Sequence, residues 1–191
     1  MVVLWTRCVK VAGRRAIIVA AHVMLNLGSP DDFVRLAEEV GERCGAELLA
    51  LASDLLPSPG VALHAVELAL RAFAEGRNRA RKLALEAMLY AACTTQIKDA
   101  LRMMAPRPGP GRYFVIAVSY RPGAARCALS QALRELGAEH VRHEPDVRRI
   151  MEAYRVPEAL VRASMVSGRE RIPELLEKII LERMALLDAQ K

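Results

Sequence analysis

The sequence predicts an α+β fold. It reads as a small mixed β-sheet covered by helices, in one domain spanning 1–191, with a helical block at about 60–105 and further helices over 145–189. Three observations predict this. Short β-branched runs alternate with longer runs of helical period. A length of 191 residues suits one domain or at most two small ones. The hydrophobic fraction of 53% supports a sizeable core and argues against disorder, and with only 4% aromatics that core is Ala, Leu and Val.

The elements follow in order. Strand candidates are VVLW near Val2 and AIIVAAHVML from Ala16 to Leu25, the second bounded by Arg14, Arg15 and Gly28. A helix is announced by Ser29 as its cap, Pro30 in its first turn, Asp31 and Asp32 against its positive end, and Gly45 at its close. AELLALAS then reads as a short buried strand before the turn PSPG. GVALHAVELALRAFAEG is a helix with Leu63, Val66, Leu70 and Phe73 on one stripe and Gly76 as its stop. A second helix restarts at Arg77 or Asn78, and a third begins at Thr94 or Thr95. PRPGPGR is a plain connection, and RYFVIAVSY, from Arg112 to Tyr120, is the clearest strand. GAARCALSQALRELG is amphipathic and helical, EHVRH is a short edge strand, and three helices close the chain over Pro145–Tyr154, Pro157–Val166 and Pro173–Ala189.

Charge and motifs bound the function. The net charge is +6 with a pI near 9.5, which favours a polyanionic partner without requiring one. The four cysteines, Cys8, Cys44, Cys93 and Cys127, are widely spread and lack zinc-ligand spacing, so they read as small buried thiols. His22 and His64 read as structural histidines. No nucleophile elbow, zinc-protease helix, phosphate-binding glycine loop or dinucleotide turn occurs, so no catalytic residue, metal or cofactor is expected. The longest apolar run, AIIVAAHVMLNL, is too short to span a bilayer, and no signal-peptide pattern opens the chain, so a cytoplasmic setting is expected.

The stretch EGRNRARKLALEAMLYAA holds the strongest signal. Arg77, Arg79, Arg81 and Lys82 crowd the start of an apolar helical run, where free N–H groups and the macrodipole already make the backbone positive. The placement is intelligible if an arriving phosphate relieves it, or if the cations form a solvated turn partnered by Glu75 and Glu86. Glu86 sits among apolar residues, with Lys82 one turn and Arg79 about two turns before it, and reads as an internal brace for the cationic end.

HAVELALRAFAEGRNRARKLALEAMLYAACTTQIKDAL resembles the central region of the PRPK-binding protein family, archaeal type. This family supplies the small non-catalytic subunit of the KEOPS complex. The residues that carry the likeness are Gly76, Arg77, Arg79, Arg81, Leu83, Glu86, Tyr90, Gln96 and Ile97, supported by DVRRIMEAYRVPEAL and PELLEKIILERMALLD nearer the C-terminus. Two places depart from it: AACTTQI stands where archaeal members carry a glycine, and MMAPRPGPGR replaces a short glycine turn. The resemblance implies a regulatory protein without an active site or small-molecule substrate. It would bind the kinase-like ATPase subunit of KEOPS and hold tRNA, including the 3′ CCA end, for threonylcarbamoyladenosine modification. By that likeness Arg77, Arg79, Arg81 and Lys82 would meet the terminal phosphates, with Gln96 and Lys98 as neighbours. Tyr90 is the nearest ring for stacking on a base, though a core position suits it better.

Overall fold

The computed structural model describes residues 4–165 and 171–190, the side chains of 163–165 excepted. A five-stranded sheet runs in the order β1-β2-β4-β3, with β5 also pairing β2. The strands are β1 (Leu4–Val11), β2 (Arg14–Leu27), β3 (Glu47–Ala52), β4 (Gly109–Ser119) and β5 (Glu139–His140). Every strand pairing among the described residues is antiparallel, so the expected mixed sheet is corrected to an antiparallel one. The helical crossover from β3 to β4 enters β4 beside β3 in the opposite sense, so no parallel pair arises.

Both faces of the central strands β2 and β4 are buried, which is why β2 reads as a nearly continuous apolar run. Val19, Ala21, Val23 and Leu25 of β2 and Tyr113, Val115 and Ala117 of β4 face one layer. That layer is α1 (Pro30–Cys44) and α5 (Ala124–Glu135). Alternate residues Ile18, Ala20, Phe114, Ile116 and Val118 face the other. There lie α2 (Pro59–Ala74), α3 (Leu83–Ala91), α4 (Ile97–Met104), α6 (Val147–Ala153), α7 (Glu158–Met165) and α8 (Ile172–Ala189). The caps of α1 are those its sequence announces: Ser29 and Asp32 form a reciprocal capping box, and Gly45 closes the helix in the left-handed region at φ 70°.

The connection PRPGPGR is a correction. Gly109, Pro110, Gly111 and Arg112 belong to β4 and pair Leu27, Asn26, Leu25 and Met24 of β2. β3 reaches only Tyr113–Val118, so Pro110 has a strand on one side alone, the edge setting in which a strand proline is tolerated. Gly111 is required here because the Tyr113 hydroxyl and the end of its ring occupy the place where a Cβ would sit. The first strand likewise extends well past VVLW, to Val11.

The fold also buries His22 and half-buries His143 against it. His22 on β2 accepts from Ser53 Oγ at Nε2 (2.8 Å), while Nδ1 donates to the Val141 carbonyl (3.0 Å). The His143 ring stands edge-on to it at 5.0 Å. Burial pushes both imidazoles below the ordinary value of 6.5. The folded protein therefore stays neutral here at a pH where the unfolded chain takes up protons. Stability from this pair is complete above about pH 6.5 and is lost as pH falls below it, with His22 contributing up to about 1.4 kcal/mol per pH unit. Denaturant midpoints should fall steadily from about pH 7 to pH 5, and a flat profile across that interval would contradict the assignment.

Candidate nucleic-acid interface

The cationic stretch is built from the end of α2. Gly76 takes a left-handed conformation (φ 68°) and donates to Phe73 O, while Arg77 N–H donates to Ala72 O at 2.8 Å. This pair of bonds satisfies the last carbonyls of α2 and sets Arg77 against the helix end. Residues 77–82 continue as a loop, and α3 starts only at Leu83, with Lys82 as an extended N-cap that makes no side-chain cap. The expected start at Arg77 or Asn78 is corrected. Cations in the first turn oppose the macrodipole, and unwinding the segment removes them from it.

Glu86 holds this loop. It is fully buried on α3, and its Oε2 accepts from the backbone N–H of Arg79 (2.9 Å) and of Ala80 (2.8 Å). The spacing pointed to the side chains of Lys82 and Arg79, and the bonds instead come from the main chain. Asn78 Nδ2 donates to Ala80 O at 2.9 Å, so Ala80 is clamped on both sides and buried, with Arg79 and Arg81 exposed beside it. The Arg79 and Ala80 N–H groups are thus taken by an internal carboxylate.

The four cations divide. The Arg77 guanidinium bonds Glu75 Oε2 through Nε (2.7 Å) and Nη2 (2.5 Å), and reaches Asp188 Oδ1 on α8 through Nη1 (3.1 Å). Those two carboxylates hold its pKa above the ordinary arginine value. Lys82 Nζ reaches Glu38 on α1 at 2.7 Å. No ion pair joins Arg79 or Arg81 to a carboxylate among the described residues. Tyr90 is buried and donates to the same Asp188 Oδ1 at 2.6 Å, which with burial pushes its phenol well up, so it is a core residue and not a stacking platform. Tyr90→Phe should cost about 1.5 kcal/mol, because the lost bond goes to a charged acceptor. Thermal unfolding of the variant checks this.

Gln96 and Lys98 lie at the other end of α3. Cys93, the residue after the C-cap Ala92, turns the chain out of that helix at φ 51°, with Cys93 N–H on Tyr90 O (2.9 Å) and Thr94 N–H on Leu89 O (3.1 Å). A cysteine thus adopts the left-handed cap that glycine enters more easily. Thr94 Oγ1 accepts from Gln96 N–H at 3.1 Å, which spends the threonine in the turn, so α4 begins at Ile97 and not at Thr94 or Thr95. Gln96 and Lys98 are exposed, but nine residues of α3, about 13 Å along its axis, separate them from the arginine loop. The candidate residues therefore form two patches.

Sequence reasoning missed two things here. Asp188 unites Arg77 and Tyr90 from 111 and 98 residues away, and no local pattern signals that. Ile97 and Leu101, each 44% exposed on successive turns of α4, add an apolar strip beside Lys98, visible only once the buried face is known. No group of three or more His, Cys, Asp or Glu is placed to hold a metal among the described residues, and no helix among them is long and apolar enough to cross a membrane.

Fold and surface define an α+β scaffold whose exposed chemistry at this site is charge and apolar contact. The family model described as Kinase binding protein CGI-121 matches residues 36–188, and the chain belongs to that family. No curated protein matches the chain. The span that carried the resemblance, His64 to Leu101, lies inside the matched region.

Proposed function

We propose that this kinase-binding protein is the small non-catalytic subunit of a KEOPS complex, working in the cytoplasm. It binds the kinase-like ATPase subunit and delivers tRNA, held in part by its 3′ CCA end, for threonylcarbamoyladenosine modification. One observation carries the RNA part: Arg79 and Arg81 are exposed, with no ion pair among the described residues, on a loop whose backbone is pinned by Glu86. A pinned loop presents its guanidinium forks to a phosphate with its backbone already ordered, which leaves only the side chains to be fixed on binding. Arg77 and Lys82 lie beside them, partly neutralised by their carboxylates, and Lys98 and Gln96 form the second contact further along the strand.

The test is tRNA binding by the isolated chain. Affinity should fall steeply as salt rises, through counterion release, and trimming the CCA should weaken it. Equal affinity for trimmed and intact tRNA removes the CCA part of the proposal. A second reading, a pure protein-interaction module of the kinase, is favoured by the pairing of Arg77 and Lys82 and by the exposed Ile97, Leu101 and Leu186. It is selected if the kinase partner is captured from the source while tRNA is not retained at low salt.

A further inference from the structure

The expectation of four buried thiols is corrected. Cys8 and Cys127 are exposed, and Cys44 and Cys93 are half-buried. Cys93 is held against Ile180 O and burial pushes its thiol up to about 12, so it is inert. Cys8 accepts from the Arg15 guanidinium at 2.8 Å. Cys44 and Cys127 differ, because their sulfurs lie 3.3 Å apart although 83 residues separate them.

We propose that Cys44 and Cys127 form a dithiol site that a hydroperoxide oxidises to an intrachain disulfide, clamping α1 to α5. Cys44 is the last residue of α1, and Cys127 lies in the first turn of α5. Arg43 and Glu135 bridge the same two helices at 2.7 Å, which keeps the pair in register. A disulfide needs the sulfurs about 2.05 Å apart, so they must close by roughly 1.3 Å. Cys127 is the more exposed sulfur and accepts from Gln131 Nε2 at 3.4 Å, so it meets the oxidant first. Burial and the neighbouring Cys127 sulfur hold the Cys44 thiol above its ordinary pKa, which reserves it for the second step.

The steps balance. The Cys127 sulfur attacks one peroxide oxygen, the O–O bond breaks, a sulfenic acid forms, and the other oxygen leaves as water with the thiol proton. The Cys44 sulfur then attacks the sulfenic sulfur, the S–O bond breaks, and a second water leaves with the Cys44 proton. Two thiols lose two electrons, and one hydrogen peroxide becomes two waters.

The experiment treats the reduced full chain with a modest excess of hydrogen peroxide, unfolds it, counts thiols and maps a non-reduced digest. The count should fall from four to two, with a single linked peptide pair holding Cys44 and Cys127. The oxidised protein should melt several degrees higher, and dithiothreitol should reverse this. Cys8→Ser should still form the link, whereas Cys127→Ser should form no intrachain bond. Four remaining thiols, linkage through Cys8, dimers joined between chains, or Cys127 carried on to sulfinic acid without linkage each overturn the proposal.

Discussion

The double variant Arg79→Glu/Arg81→Glu is expected to lose tRNA affinity by roughly a hundredfold at moderate salt while melting within about a degree of the parent. The two halves of that statement have different origins. Stability is spared because both side chains are exposed and neither pairs with a carboxylate among the described residues, so reversal removes no internal bond. Affinity suffers because two phosphate contacts become two repulsions, and the slope of log affinity against log salt should shrink by about two. Arg77→Glu is the contrast. It places a carboxylate against Glu75 and Asp188 and frees α8 from the loop, so it should lower the melting temperature before its effect on RNA is read. If the double variant binds tRNA as the parent does, with the same salt slope, the loop is not the RNA contact and the interaction-module reading stands.

The difference between Arg77 and Arg79 shows how far the sequence reaches. Elements bounded by their own caps were legible: α1 carries Ser29, Pro30, Asp32 and Gly45 within its own span, and the structure uses each of them. β2 and the core of β4 were legible because both faces are buried and the apolar run is continuous. Three boundaries were not. The start of α3 is set by a conflict between helix propensity and like charge at a positive end, and periodicity alone cannot weigh it. The start of α4 depends on a threonine spent in a turn. Gly109–Arg112 joins β4 because the neighbouring strand stops short, which is a fact of topology. At the site, the cluster of cations was plain in the sequence. Their division was legible only in part: Glu75 lies two residues from Arg77 and was foreseen as a partner, whereas Asp188 and Glu38 reach Arg77 and Lys82 from α8 and α1. The contact between Cys44 and Cys127 was hidden for the same reason.

Glu86→Ala is expected to cost about 2–4 kcal/mol and to lower the melting temperature by roughly 5–12 °C for a chain of this size. Glu86 is fully buried, and its Oε2 is the acceptor for both the Arg79 and the Ala80 N–H groups. Alanine leaves the Ala80 donor inside the protein without that acceptor and opens a cavity where the carboxylate lay. Glu86→Gln keeps an oxygen in place but loses the charge, and should cost about half as much. The informative readout is tRNA affinity measured well below the variant's melting temperature. No loop cation is removed, so counting charges predicts no loss. A pinned presentation of Arg79 and Arg81 predicts a loss of roughly tenfold, because binding must then order the loop as well as contact it. An intact affinity in a folded Glu86→Ala protein would mean that the arginines act as a diffuse field, and that Glu86 serves the core alone.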